Sequence, residues 1–218
     1  MEALILYLVL FFPGVYFSGF SAEGAEAIPF FTVRELGRLL TYTLPSLALL
    51  FYMISGRKGF PALKPQKPGK DDFLAFSIGL PGLFLIGFVI SILVSLLSKP
   101  VGWNPPPHLE APVNAAGWVI VAFSCLGTGY LEESYFRYYL LAKFENTMPH
   151  TEMRVIFSTF LFSLCHIYEG PWGAFNAVLA SILLSALFIR YKSLHSIAWA
   201  HGCYNILVYV MSYFSTKT

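Results

Sequence analysis

The chain has 218 residues, 56% of them hydrophobic and only 12% charged, with a mean hydropathy of +0.64. That balance excludes an ordinary soluble domain and points to a protein embedded in a bilayer. A formal net charge of +2, scattered along the chain, gives no argument for a nucleic-acid partner, so the basic residues serve as topology signals instead.

About six or seven spans of roughly 20 residues fit this length with short loops, leaving nothing for a separate soluble domain. Residues 1–218 are therefore expected to form a single integral membrane domain. Its fold class is an all-α polytopic bundle of about seven transmembrane helices with the functional site inside it. The first apolar run, Leu4 to Phe20, precedes a "GAEA" that imitates a cleavage site. The only charge before it is Glu2, whereas secretory signals begin with a basic region, so it is expected to be a retained first span.

Further spans are predicted at about Leu36 to Ile54, Phe73 to Leu97, Ala116 to Leu141, Val155 to Tyr168, Trp172 to Ile189 and Ser196 to Phe214. The segment 56–70, "GRKGFPALKPQKPGK", carries Arg57, Lys58, Lys64, Lys67 and Lys70 and no acid. The positive-inside rule assigns it, and with it the amino terminus, to the cytoplasm. Arg34 and Arg38 fall on the outer side in this scheme, where Glu35 can pair with them. Cys125, Cys165 and Cys203 lie in apolar stretches without C-x-x-C spacing and are expected to act as small packing residues.

Three late spans carry polar groups that lipid does not accept freely. A charge at bilayer depth costs about 2.5–3.5 kcal/mol on insertion scales. In "YLEESYFRYYLL", Glu133 and Arg137 are four apart, on one helical face and in the favourable acid-before-base order. Glu132 is turned about 100° away, so the arginine neutralises one acid and leaves the other free. Gly127 and Gly129 just before them allow a close helix approach or a cavity. Phe162 and His166 in "FSLCH", and His201 and Asn205 in "HGCYN", repeat the four-residue spacing. The least costly arrangement turns the three sets toward one another. His195, His108 and His150 lie at span ends or in loops and are expected to be interfacial or solvated.

One free acid, two histidines and an amide around a dry pocket suit hydrolysis of an unreactive carbonyl. Glu132 could take a proton from water, His166 could hold that water, and His201 with Asn205 could donate hydrogen bonds to the oxyanion. No cofactor is required by this scheme. Alternatively, Glu132, His166 and His201 could form a three-ligand zinc site with an open position, although no H-E-x-x-H is present. Serine and cysteine mechanisms lack a supporting motif.

The same residues resemble a known family. "EESYFR" (Glu132, Glu133, Arg137) is similar to the EExxxR motif of the CAAX protease and bacteriocin-processing (CPBP or Abi) intramembrane proteases. "FSLCH" (Phe162, His166) resembles their FxxxH motif and "HGCYN" (His201, Asn205) their HxxxN motif, in the same order. The resemblance implies a catalytic core at about 116–214. It also implies a water-activating glutamate at Glu132 assisted by His166, and an oxyanion site at His201 and Asn205. The partners it implies are the lipid bilayer and a peptide or membrane-anchored protein substrate, prenylated or not. A compact chain of this length leans toward a prokaryotic plasma-membrane member with its site opening toward the cytoplasmic half of the bilayer. Two other readings compete with an endopeptidase. A proton-coupled transporter uses buried carboxylates and histidines equally well, but it predicts two similar halves, and no such repeat is visible. A non-catalytic immunity or scaffold relative would keep the motifs without turnover.

Overall fold

The computed structural model describes residues 1–22, 27–55, 69–145 and 147–215. They form an all-helical bundle of seven helices. These are α1 (Glu2–Ala22), α2 (Thr32–Ile54), α3 (Lys70–Val101), α4 (Ala115–Lys143), α5 (Thr151–Leu164), α6 (Gly170–Tyr191) and α7 (Leu194–Ser215). Among the described residues, α2, α3, α4 and α6, the last counted with the turn before it, are long and apolar enough to cross a membrane. The basic segment 56–70 falls outside the described residues except for Gly69 and Lys70.

Local sequence explains where several helices begin and end. Asp72 accepts a 2.7 Å hydrogen bond from the Gly69 backbone N–H, and with Asp71 it places two acids in the first turn of α3, where the helix dipole favours them. The same helix stops at Gly102, whose φ of 74° is left-handed and open to glycine without strain. The Asn114 side chain caps α4 by accepting from the Gly117 N–H at 2.8 Å. Pro171 sits in the first turn of α6, where its missing N–H costs nothing.

Two irregularities were not legible in the hydropathy. Leu39–Thr43 within α2 and Ser134–Tyr139 within α4 are π-helical, each placing one residue too many in a turn. The fifth predicted span, Val155 to Tyr168, is also corrected: α5 ends at Leu164, and Ile167–Glu169 forms a separate 3-10 turn. Gly170, at φ 80°, and Pro171 follow immediately, so the chain breaks its helical course here and restarts as α6.

The loops after α1 and before α4 are tied by a two-residue parallel bridge, β1 (Ala27–Ile28) to β2 (His108–Leu109), with Ala27 opposite His108 and Ile28 opposite Leu109. His108, expected to be interfacial or solvated, is exposed, and its Nε2 lies 3.1 Å from the Ser212 hydroxyl of α7. The main core joins α1 to the π-helical part of α4. There the Phe11 ring packs at a tilt against Tyr135 and Phe136, at 5.1 and 4.9 Å between ring centroids. The outer face of α3 presents Phe73, Leu85, Phe88 and Leu96, as a lipid-facing helix requires.

Candidate active site

The approach of α4 to α7 is set by glycines. A Cβ on Gly129 would lie 2.7 Å from the Ala198 carbonyl oxygen and 2.9 Å from the Gly202 nitrogen. A Cβ on Gly202 would lie 2.9 Å from the Leu126 Cα. Backbone therefore packs on backbone, with no room for a methyl group on either side. Glu133 is one turn beyond Gly129 on the same face, and His201 adjoins Gly202, so the contact brings these two side chains together. His201 Nδ1 lies 2.8 Å from Glu133 Oε1.

Below that contact the chain enters the π-helical segment, all six residues of which are buried. Its displaced backbone and rings are held from outside: Ser158 donates to the Phe136 carbonyl at 2.8 Å, and the Tyr135 hydroxyl donates to the Ala3 carbonyl at 2.7 Å. Arg137 projects from this segment, and its Nε is 3.1 Å from Glu133 Oε2, with both side chains completely inaccessible. The pair is close but not aligned for a hydrogen bond, and none of the three guanidinium nitrogens has a hydrogen-bond partner among the described residues. Two aromatic faces supply the remaining attraction: the guanidinium carbon is 4.4 Å from the Phe162 ring centroid and 5.8 Å from that of Phe136.

Phe162 is the hub of the constellation. Its ring is 4.5 Å from that of His166 and 6.2 Å from that of His201, as well as lying against Arg137. His166 does not sit on the helix that carries Phe162; it follows the end of α5 with φ −108° and ψ 5°. Its Nδ1 stands 2.8 Å from the Phe162 carbonyl oxygen and 3.5 Å from Cys165 Sγ. An Nδ1–H donated to that carbonyl leaves Nε2 as the free, accepting nitrogen.

Glu132 faces the other ring nitrogen of His201. Its Oε2 is buried, has no hydrogen-bond partner among the described residues, and is 3.7 Å from His201 Nε2. His201 thus stands between two carboxylates, bonded to one and close to the other. Asn205 lies one turn further along α7 on the same face as His201 and is half-buried. The structure therefore gathers Glu132, Glu133, Arg137, Phe162, His166 and His201, with Asn205 reached along the helix.

The zinc alternative needs three convergent ligands. Among the described residues no three His, Cys, Asp or Glu side chains are grouped in that way, the Glu132, His166, His201 set included. The donor set therefore does not fit a three-ligand metal.

Helical spacing assigns Glu133 to Arg137 alone, whereas the structure also bonds it to His201. The signal was present: Gly129 and Glu133 are four apart, so a glycine that admits a neighbouring helix aims Glu133 at that neighbour. The pairing of Arg34 and Arg38 with Glu35 is present, at 3.9 and 3.0 Å. It extends further than expected, because Arg38 also donates to Ser124 at 2.6 Å and to Thr128 at 3.4 Å, pinning α2 to α4 one turn before Glu132.

Residues 114–207 match the family model described as type II CAAX prenyl endopeptidase Rce1-like. The match opens at the Asn114 cap and closes two residues after Asn205, so it contains every residue of the constellation. It agrees with the family that the three motifs resemble, and it suggests a CAAX-type endopeptidase of the membrane. No curated protein and no solved structure matches the chain.

Proposed function

We propose that the Rce1-like region makes this protein an intramembrane endopeptidase, hydrolysing a peptide bond in a membrane-associated or CAAX-type prenylated protein or peptide with water activated by Glu132. The relation between Glu132 and His201 carries this reading. A buried carboxylate oxygen without a hydrogen bond faces Nε2 of an imidazole, 3.7 Å away, whose other nitrogen is engaged by Glu133.

The residues divide the work as follows. The Glu132 carboxylate takes a proton from water as the water oxygen bonds to the scissile carbonyl carbon, and the π electrons of C=O move onto oxygen. The oxyanion is met by N–H donors from Asn205 and from His201 Nε2. Bonded to Glu133 through Nδ1–H, His201 has a hydrogen on Nε2 only as the imidazolium. With Glu132 and Glu133 ionised and Arg137 cationic, that state gives the four groups a net charge of zero. His166 Nε2, left free by the bond from Nδ1 to the Phe162 carbonyl, holds the water by accepting its second hydrogen. When the tetrahedral intermediate collapses, the C–N bond breaks and Glu132 returns its proton to the leaving nitrogen. A carboxylic acid and an amine result, and the carboxylate is regenerated.

Residues 1–218 act in this reading as one membrane domain, with a catalytic core at about 116–214. The amino terminus and the 56–70 segment are placed in the cytoplasm of a prokaryotic cell, with substrate entering from that side or laterally between helices. The test is a comparison of protein termini in cells carrying wild-type or Glu132→Ala protein. New termini that depend on Glu132 are expected. Identical termini, with equal expression of both proteins, would sink the peptidase reading, and proton-coupled flux in proteoliposomes would replace it with transport.

A further inference from the structure

Tyr7 of α1 and Leu161 of α5 are 154 residues apart in the chain, yet the Tyr7 hydroxyl donates to the Leu161 carbonyl at 2.9 Å inside the core. The proposed chemistry does not use this bond, and none of the three motifs contains Tyr7. It meets α5 in the last turn of that helix, one residue before Phe162. The phenol has no freedom to leave. Its ring lies 5.8 Å from that of Phe11, and the Phe136 ring stands edge-on to both Tyr7 and Phe162, at 6.3 and 5.1 Å between centroids. A tyrosine buried in this way needs a partner for its O–H, and here the partner is taken from a helix ladder.

The hydrogen bonds of that turn register the intrusion. The Leu161 carbonyl also accepts the Cys165 N–H, but at 3.3 Å, a long bond for an α-helix. The next rung is absent: the His166 N–H bonds the Ser163 carbonyl at 3.1 Å instead of the Phe162 carbonyl four residues back. A side chain that enters the i→i−4 ladder draws a carbonyl outward and opens the helix at that point. Released from the backbone, the Phe162 carbonyl takes two side-chain donors on its two lone pairs, the Cys165 thiol at 3.0 Å and His166 Nδ1–H at 2.8 Å. That second bond is the one that leaves His166 Nε2 without a hydrogen. In an α5 that kept its last rung, the His166 N–H would occupy the carbonyl and the imidazole would lose its anchor.

We infer that Tyr7 is a positioning residue for His166. By drawing on the Leu161 carbonyl it ends α5 one rung early and frees the Phe162 carbonyl, which then holds the imidazole in the tautomer that offers Nε2 to water. The inference rests on the peptidase reading above. It makes the amino-terminal helix a working part of a site whose reactive groups all come from the second half of the chain.

The test reads the tautomer and the turnover separately. Protein in detergent is labelled with heavy nitrogen in histidine, and NMR distinguishes Nδ1–H from Nε2–H, the His166 signal being the one lost in His166→Gln. Cleavage is followed with an internally quenched farnesylated CAAX-type peptide. The wild type should show the Nδ1–H tautomer at His166. Tyr7→Phe keeps the ring and removes the donor; it should mix the tautomers and lower kcat about tenfold, the worth of roughly one hydrogen bond, with KM unchanged. Placing 4-aminophenylalanine at the position of Tyr7 restores a donor and should restore both readouts. Tyr42→Phe is the control for a general loosening of α1, because the Tyr42 hydroxyl bonds the Leu10 carbonyl of that helix and leaves α5 alone. It should leave the His166 tautomer as in the wild type. An unchanged His166 signal in folded Tyr7→Phe protein, or an equal change in Tyr42→Phe, would overturn the inference while leaving the peptidase intact. A mixed tautomer with undiminished kcat would overturn it as well. The expected tautomers in a wild type that cleaves no peptide would keep the link from Tyr7 to His166 and remove the peptidase.

Discussion

His201 Nδ1 and Glu133 Oε1 are 2.8 Å apart, and the same carboxylate holds Arg137 Nε 3.1 Å from its other oxygen. Glu133 therefore has two dependants. It balances a guanidinium that no solvent reaches, and it fixes the orientation of an imidazole whose remaining nitrogen faces Glu132. A carboxylate that accepts one of the two N–H groups of an imidazolium fixes its ring plane and aims the other N–H. Glu133 thus acts as a positioning residue in the proposed reaction, with Glu132 as the base.

These two tasks can be separated by mutation. Glu133→Ala should destabilise the protein by about 3–5 kcal/mol, because it leaves Arg137 buried and unpaired. The double variant Glu133→Leu, Arg137→Met removes both charges and should recover most of that loss in detergent unfolding. It should remain inactive, since the imidazole no longer has its acceptor. Full activity in the folded double variant would show that Glu133 serves Arg137 alone.

The helix contact that creates the pair can be probed on its own. Gly202→Ala puts a methyl group 2.9 Å from the Leu126 Cα, and a backbone atom cannot swing aside. Overpacking of this kind costs about 1–3 kcal/mol. Since separating α4 from α7 also draws His201 away from Glu133, cleavage should fall more steeply than stability. Gly37→Ala, at a glycine with nothing within 4 Å of the added atom, is the matched control and should change neither. Equal behaviour of the two variants, measured by thermal unfolding and turnover, would refute this account of the interface.

Because the constellation offers no three convergent metal ligands among the described residues, proteolysis should be unaffected by EDTA or phenanthroline. Activity of chelator-treated protein against the same peptide is the measurement. Loss on chelation, restored by added zinc, would require Glu132, His166 and His201 to rearrange around an ion and would overturn the glutamate scheme.

Much of this molecule was legible along the chain. In lipid each helix must satisfy its own backbone groups, so a hydrophobic run of sufficient length announces a helix by itself. Each of the seven predicted spans falls on a helix among the described residues, from Glu2–Ala22 to Leu194–Ser215, and four of those helices are long and apolar enough to cross a membrane. The cost of burying charge likewise made Glu132, Glu133, Arg137, His166 and His201 conspicuous before any contact was known. Spacing then separated the two adjacent acids, because a turn of 100° per residue is a property of the helix alone.

Tertiary structure decided what one helix cannot specify. The end of α5 at Leu164, which leaves His166 in a turn with its ring against Phe162, depends on where the chain must reverse into α6. The π-helical segment Ser134–Tyr139 persists because Ser158 and Ala3, distant in sequence, bond its carbonyl and its tyrosine. The choice of Glu133 as the partner of His201 follows from the rotation and depth at which helices meet. Those are fixed by Gly129 and Gly202 only once the opposing backbone is in place. Hydropathy and spacing act within a segment, whereas these contacts arise between segments, so the sequence named the reactive groups and the packing assigned them to one another.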